Sequence, residues 1–286
     1  MLTGLPLLPV QPFLGAGALD AARLVLVGAP LDATVTGRPG SRHGPPRIRE
    51  VSEYLEEYSP KLDRTLSEAR FHDAGDLNLP LTRVGEALRL IASAADAIAG
   101  AGRIPLVIGG EHLVTLGPVR ALAARHPDLA LLHFDAHLDL RDDWMGERDN
   151  HATVVRRCVE LLQPGSVYQF GVRSGAKEEY LYAATNTTLY PDDIVDGVAR
   201  VRAALDGRPV YVTVDIDVLD PAFAPGTGTP EPGGVSSIEL LAALACLKGL
   251  NVVGMDLVEV APAYDPTERT AYVAAKALRE AILVLA

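Results

Sequence analysis

Short apolar runs rich in β-branched residues alternate along this chain with longer stretches of helical periodicity. The near-continuous hydrophobicity of the short runs indicates strands that are covered on both faces, as in a parallel sheet. These predicted strands cover residues 23–28, 104–108, 129–134, 166–171, 209–214 and 251–257. The stretches with a helical period predict helices over residues 44–57, 83–101, 114–125, 193–205, 236–247 and 268–285.

The repeated order of strand and helix predicts one α/β sandwich, with helices on both faces of a mostly parallel sheet. No low-complexity linker or internal repeat interrupts residues 1–286, which we therefore interpret as a single domain. In open parallel sheets, ligands bind at the carboxyl ends of the strands. A motif that directly follows a predicted strand is therefore a candidate for the functional site.

Composition and charge exclude several classes of partner. The formal net charge of -11 argues against nucleic acid and anionic membranes, because phosphate binding requires a basic face, and it favours cations. No run of about 18 apolar residues is present, so a membrane span is not expected. The chain has two cysteines, Cys158 and Cys246, and no CxxC motif, which indicates a cytoplasmic protein without a disulfide framework.

Three motifs directly follow predicted strands. They are GGEH at residues 109–112, DAHLD at residues 135–139 and DID at residues 215–217. A buried strand end is an unfavourable place for carboxylates unless a cation offsets their charge. Three such motifs together therefore indicate a metal site.

The spacing within the motifs suggests how many ions the site holds. If DAHLD and DID stay extended, residues two apart share a face, so each motif presents its ligands together. With the histidine of GGEH this gives four carboxylates and two imidazoles, which suit two ions that share carboxylates better than one. The predicted ligands are His112, Asp135, His137, Asp139, Asp215 and Asp217.

The chemistry of the donors favours Mn²⁺ over a thiolate-rich zinc site, because the set contains oxygen and nitrogen but no sulfur. Zinc, cobalt and iron stay open alternatives. His133 lies inside the strand that precedes DAHLD, and we interpret it as a packed histidine rather than a ligand.

The three motifs resemble those of the ureohydrolases, the family of arginase, agmatinase and formimidoylglutamase. The matching segments are GGEH, HFDAHLDLR and VDIDVLDPAFAPGTGTPEPGG, and the resemblance extends over most of the chain. It implies an arginase-like three-layer α/β/α sandwich around about eight strands, and two Mn²⁺ ions held by the six residues above. It also implies a homo-oligomer, a trimer or a hexamer.

The same resemblance implies roles for residues outside the metal set. His151 in NHAT matches a histidine that shuttles protons, which suits the departing amine because imidazole titrates near neutrality. Glu259 in DLVEVAP matches the carboxylate that binds the guanidinium, since a carboxylate can accept two of its hydrogen bonds. Asp139 is expected to hold the proton of the attacking hydroxide.

The expected substrate is a small cationic guanidino compound, cut to urea and an amine. Residues 140–153 resemble bacterial agmatinases more than arginases, and the loop carries four acids that would repel a carboxylate and attract a distal ammonium: Asp142, Asp143, Glu147 and Asp149. Agmatine, which yields putrescine for polyamine biosynthesis, is therefore predicted. Arg141 leaves an acidic substrate open, because it could bind either a neighbouring acid or a substrate carboxylate.

Other substrates and other classes of protein stay open. Aminopropylagmatine is the first rival substrate, followed by arginine and guanidinobutyrate. From a different class, the chain could be a deacetylase of the related fold, which normally binds one zinc, or a metal-binding protein without turnover.

Overall fold

The protein, described by a computed structural model over residues 2–286, is built on one sheet of nine strands. All strands in chain order are β1 (Leu7–Leu8), β2 (Leu24–Ala29), β3 (Tyr58–Ser59), β4 (Arg64–Thr65), β5 (Phe71–Leu77), β6 (Ile104–Gly109), β7 (Ala130–Phe134), β8 (Val167–Phe170), β9 (Thr188–Tyr190), β10 (Pro209–Asp215) and β11 (Asn251–Val258). Strands β3 and β4 form a separate antiparallel pair. The helices are α1 (Gly44–Ser52), α2 (Val84–Gly100), α3 (Leu116–Arg125), α4 (Val154–Leu161), α5 (Lys177–Asn186), α6 (Ile194–Val201), α7 (Ser237–Ala245) and α8 (Arg269–Leu285).

The order of strands across the large sheet is β1-β5-β2-β6-β11-β10-β7-β8-β9. Neighbouring strands are parallel except for β1, which is antiparallel to β5 at the edge. Two strands from the middle of the chain, β6 and β7, and two from its last third, β10 and β11, therefore lie side by side in the sheet, in the order β6-β11-β10-β7. Their carboxyl ends form one edge, where ligands bind in folds of this kind.

Helices cover both faces of the sheet, which explains why its strands are hydrophobic throughout. In β7, Leu132 and Phe134 pack into the cluster that also contains α1, α6, α7 and α8, whereas Leu131 packs on the opposite face with α3 and α4. Helix α2 covers the same opposite face beneath β2, against Val25 and Val27. The predicted fold class, a three-layer α/β/α sandwich, is confirmed.

The structure adds elements that the sequence pattern did not predict. The sheet has nine strands rather than about eight, and β1, β5 and β9 lie outside the predicted set, as do helices α4 and α5. Helix α1 ends at Ser52 and not at residue 57. At this end, the Ser52 hydroxyl donates a hydrogen bond to the carbonyl of Arg49 at 2.6 Å, and this bond competes with the backbone hydrogen bonds of the helix. Within residues 2–286, no helix is long and apolar enough to cross a membrane.

Candidate metal centre and cavity

The predicted ligands meet at the carboxyl ends of the four central strands. His112 begins a one-turn 3₁₀ helix just after β6, and the DAHLD segment follows β7. Asp215 is the last residue of β10, and Asp217 lies in the next turn. The chain can pass beneath this site only with glycine at position 110, since a Cβ there would lie 1.9 Å from the carbonyl oxygen of Leu31.

The first group of ligands surrounds the ring of His112. Its Nδ1 atom lies 2.8 Å from Asp135 Oδ2, 3.2 Å from Asp215 Oδ2 and 3.3 Å from Asp139 Oδ2. The atom is fully buried and makes no hydrogen bond of good geometry, although three carboxylates surround it. Such an arrangement is typical of donors that point at a shared cation.

The second group adjoins the first through Asp135. His137 Nδ1 lies 3.1 Å from Asp217 Oδ2 and 3.4 Å from Asp135 Oδ1. Asp135 thus belongs to both sets of side chains whose donor atoms lie close enough together to hold an ion. All six predicted ligands come together, with one shared carboxylate between two histidines.

The ligands converge by turns and not by strand alternation, so the expectation of extended motifs was wrong. Strand β7 ends at Phe134, one residue before Asp135, and Asp139 has a φ of 53°, in the left-handed region. Asp217 sits in a 3₁₀ turn, where its backbone N–H donates to Asp215 Oδ1 at 2.8 Å. The turns let three residues of the five-residue motif DAHLD contribute to the two groups.

The charge of this centre calls for cations. Within residues 2–286, no lysine or arginine makes a salt bridge with the four aspartates. Burial, and then the charges of Asp217 and Asp135, raise the pKa of Asp215 well above its ordinary value. Burial, and then the charge of Asp135, also raise the pKa of Asp217. Buried carboxylates that disfavour one another's charge, set beside imidazole donors, fit divalent metal ions, which would offset the negative charge.

A cavity of about 330 Å³ opens above the ligands. It is lined by four of the predicted ligands and by side chains from several loops, among them Thr36, Arg141, Trp144, His151, Ser174, Glu179, Thr229 and Glu259. His112, His137, Asp139 and Asp215 form part of its wall. The cavity is large enough for a small-molecule substrate.

Glu259 lies on the cavity wall directly after β11. Its Oε1 accepts a hydrogen bond from the backbone N–H of His112 at 2.8 Å, so its side chain is fixed beside the first ligand. Its φ of 66° is unusual for a glutamate and directs the chain out of the strand. Burial, followed by the nearby Glu111 charge, raises the pKa of Glu259 to about 8. A bound cation would favour the ionised form of this carboxyl group.

His151 begins the one-turn 3₁₀ helix that precedes α4, and it is held by two threonines. Its backbone N–H donates to Thr34 Oγ1 at 3.0 Å, and its ring nitrogens lie 3.5 Å from Thr34 Oγ1 and 3.4 Å from Thr36 Oγ1. Burial lowers the pKa of the imidazole, against the opposing effect of the Asp139 charge. The ring is therefore mainly neutral near pH 7 and can accept a proton. Glu111 fixes the loop that carries Thr34, since its carboxylate accepts a hydrogen bond from the Thr34 N–H at 2.8 Å.

Arg141 lies in the cavity wall above the ring of Trp144, with 4.2 Å between the guanidinium carbon and the ring centroid. Its Nε is 3.6 Å from Glu179 Oε2, an oxygen that also accepts from the backbone N–H of Ala176. The four acids of the loop were expected to attract a distal ammonium of the substrate, but they do not line this cavity. Among residues 2–286, the lining of the cavity includes none of Asp142, Asp143, Glu147 and Asp149.

His133 is packed in the interior, as predicted, but it also contacts one of the predicted ligands directly. It is fully buried, and its Nε2 lies 2.9 Å from Asp135 Oδ2. Its Nδ1 contacts Gln169, a residue of β8 that the motif pattern left unnoticed. Trp144 and Thr34 were missed as well. The signal for the contacts between Gln169, His133 and Asp135 was a single glutamine inside an otherwise apolar strand.

Comparison with known proteins identifies the class to which this fold and site belong. A model of the arginase family matches residues 22–284, and the chain belongs to that family. An agmatinase of Bacillus subtilis is 50% identical, over 92% of this chain and 92% of its own length. The solved structure of the agmatine ureohydrolase of Thermoplasma volcanium is 33% identical and has a TM-score of 0.87, covering 97% of this chain and 94% of that one.

The relatives differ in the compounds for which they are named. A mitochondrial guanidino acid hydrolase of Homo sapiens is 39% identical, over 97% of this chain and 81% of its own length. The predicted family, its bacterial agmatinase relatives and the assignment to an enzyme class, an agmatinase-like ureohydrolase, are confirmed. Arginase-family enzymes use a binuclear metal centre, and the His/Asp cluster of this chain is consistent with one.

Proposed function

We propose that residues 1–286 act as one catalytic domain that hydrolyses a guanidino compound to urea and an amine at a pair of Mn²⁺ ions. Agmatine, with putrescine as the product for polyamine biosynthesis, is the substrate that we favour. The proposal depends on one observation above all. Asp135 joins two sets of buried ligand atoms at the floor of a cavity whose walls carry Glu259 and His151.

The six predicted side chains, with Asp135 among them, would hold the two ions. His112 and Asp139 would bind one ion, His137 and Asp217 would bind the other, and Asp135 and Asp215 would complete the set. When bound, such a pair lowers the pKa of water so that a nucleophile is available at neutral pH. Manganese is favoured because the donors are carboxylates and imidazoles without a thiolate.

Glu259 binds and orients the guanidinium in this proposal. One of its oxygens is fixed by the N–H of His112 at 2.8 Å, and the side chain borders the cavity. A planar guanidinium can donate two parallel hydrogen bonds to a carboxylate, which also fixes the plane of the substrate above the floor. Asp139, at the edge of that floor, holds the proton of the attacking nucleophile.

His151 moves the proton that the leaving amine requires. Its lowered pKa leaves the ring neutral before the attack, so that a ring nitrogen can take a proton and then give it to the amine. Thr34 and Thr36 hold the ring at the cavity wall during both steps. Replacing His151 by alanine is expected to lower kcat by about 10²–10⁴-fold. The content of bound manganese should stay close to that of the unchanged protein, and loss of metal would contradict the shuttle role.

Arg141 supports a second candidate substrate, a guanidino acid. Its positive charge in the cavity wall would attract a distal carboxylate, and a relative at 39% identity is named for guanidino acids. The agmatinase names of the more similar relatives support agmatine instead. Aminopropylagmatine, arginine and guanidinobutyrate are the other substrates to be compared. A cytoplasmic location and an assembly of three or six chains stay predictions.

The test is urea release from a panel of guanidino compounds, with and without added Mn²⁺. We expect the highest kcat/KM for agmatine and loss of activity after chelation. Arg141→Met should leave the KM for agmatine unchanged or lower, and raise the KM for guanidinobutyrate. Arg156→Met is the matched control, because Arg156 also stacks on an aromatic ring, Tyr182, but does not line the cavity. No urea from any compound would contradict the proposal.

A further inference from the structure

His133 adjoins the first group of predicted ligands, around His112, but has no role in the proposed reaction. Its ring stacks on that of His112, with centroids 5.1 Å apart, and its Nε2 lies 2.9 Å from Asp135 Oδ2. The donor atoms of His133, His112, Asp135 and Asp139 are close enough together for all four to hold one ion. Proximity therefore leaves two roles for His133, as a metal ligand or as a hydrogen-bond donor to Asp135.

Gln169 decides between these roles. Its side-chain nitrogen lies 2.9 Å from the carbonyl oxygen of Leu138 and 3.0 Å from Nδ1 of His133. A carbonyl oxygen can only accept, so the group that faces Leu138 is the amide NH₂ and not the amide oxygen. The second N–H of that group then meets His133 Nδ1, which must accept. The ring consequently carries its proton on Nε2, the atom that faces Asp135.

The surroundings of Gln169 indicate that this orientation serves a purpose. The side chain is fully buried in β8, between Tyr168 and Phe170. Its Oε1 is also buried and has no hydrogen-bond partner among residues 2–286. Leaving a buried carbonyl oxygen without a partner is unfavourable, and each such group in a folded protein needs an explanation. The two bonds made by its nitrogen supply that explanation.

We propose that Gln169 and His133 are positioning residues for Asp135, and that His133 is not itself a metal ligand. His133 donates from Nε2 to Asp135 Oδ2, while the backbone N–H of His137 donates to Oδ1 at 2.5 Å. Both oxygens of the carboxylate shared by the two ligand groups are thereby oriented. Neither ring nitrogen of His133 has a lone pair left for an ion. This inference rests on the metal pair of the proposed function.

Metal titration of three variants tests the inference. His133→Phe removes the donor but keeps a ring against His112, and should weaken Mn²⁺ binding about 10–100-fold, with two ions still bound at saturation. His133→Gln places an amide N–H near the original Nε2 and should recover most of the affinity. His72→Phe is the control, because this histidine makes a hydrogen bond to the Gly17 carbonyl and does not line the cavity. Unchanged affinity in His133→Phe would overturn the inference.

The same titration separates failure of the inference from failure of the proposed function. If the unchanged protein binds no Mn²⁺, the metal pair is wrong. If it binds two ions and His133→Phe binds one even at saturation, His133 is a ligand and the positioning role is wrong. Nitrogen NMR of ¹⁵N-histidine protein without Mn²⁺ gives a check that needs no variant. We expect the proton of His133 on Nε2, and a proton on Nδ1 would overturn the inference.

Discussion

Two buried acidic clusters in this protein differ in the source of their positive charge. Around Arg49, Nε donates to Asp73 Oδ2 at 2.8 Å and Nη1 donates to Asp76 Oδ1 at 2.5 Å. In the second cluster, Asp135 and the other three predicted aspartate ligands converge with histidines, without a salt bridge to lysine or arginine among residues 2–286. The first cluster contains an arginine as its own cation, whereas the second has only imidazoles beside its carboxylates and would take divalent ions in the proposed function.

The contacts around each cluster show the same difference. Asp73 also accepts from the backbone N–H of Phe13 at 2.8 Å and of Gly75 at 3.1 Å, so its oxygens are fully used within the fold. Asp139 and Asp215 instead border a cavity. Buried charge alone therefore does not identify a functional site. Buried charge that lacks an internal partner and faces a cavity does indicate one.

Neutralising one carboxylate of the open cluster gives the largest expected effect. Asp217→Asn keeps the shape of the side chain but removes a charge from the second group. Urea release should fall by about 10³-fold or more, because a metal pair supplies several kcal/mol of transition-state stabilisation. In the presence of EDTA, the free energy of unfolding should be unchanged or greater, since Asp217 and Asp135 are two buried like charges.

Urea assays and denaturant unfolding in EDTA measure the two effects separately. Metal content gives a third readout, and should fall below two ions per chain. A variant that became less stable in EDTA by several kcal/mol would show that the open cluster holds the fold together as the Arg49 cluster does. The contrast between the two clusters would then be lost.

Removing the internal cation, Arg49, gives the next largest effect. The expected loss is in stability and not in metal binding or activity. Arg49→Met leaves Asp73 and Asp76 buried without compensation, which should destabilise the protein by about 3–5 kcal/mol. The affinity for Mn²⁺ of the folded fraction should stay the same. Arg49→Lys is the matched control, since it keeps the charge but cannot donate bidentately, and should lose less stability. Denaturant unfolding and metal titration check both statements. Equal stability of the methionine variant would argue against a structural role for this ion cluster.

The same comparison explains what the sequence could reveal. The ligands of the open cluster follow apolar strands directly, so local pattern and strand-end chemistry were enough to find Asp135 and Asp215. Strand β5 was missed, because FHDAGDL contains the polar residues Asp73 and Asp76. Their partner, Arg49, lies 24 and 27 residues away in the chain. A contact over that distance leaves no local pattern.

The acidic loop shows a second limit. Its four acids suggested a site for a distal ammonium, but Asp142 pairs with Arg157 at 2.9 Å and Asp149 pairs with Arg120 at 3.3 Å. No local pattern predicts these pairings, which satisfy the two carboxylates outside the cavity. Gln169 was missed for a related reason, since its importance follows from the tautomer of His133 and not from a motif. Composition of a loop therefore says less about specificity than the direction of its side chains.

The smallest effect is expected at a third buried carboxylate, Asp265, which is neither in the Arg49 cluster nor among the predicted ligands. Asp265 is buried and makes no salt bridge with an arginine among residues 2–286. It accepts hydrogen bonds from the hydroxyl and N–H groups of Thr267 and Thr270 at the start of α8. Burial alone would raise the pKa of Asp265, but these hydrogen bonds outweigh it and hold the pKa below the ordinary value. Asp265→Asn should therefore destabilise the protein by about 1–2 kcal/mol at neutral pH.

The pH dependence of this loss has a definite sign. Because the pKa of Asp265 is lower in the folded than in the unfolded protein, its carboxylate stabilises the fold fully above the unfolded value. That contribution disappears as the pH falls below about 4 and through the folded pKa. Denaturant unfolding of both proteins in EDTA should show a constant difference down to mildly acidic pH and a shrinking difference below it. A difference that grew on acidification would mean that the neutral acid, and not the carboxylate, is the form that the threonines stabilise.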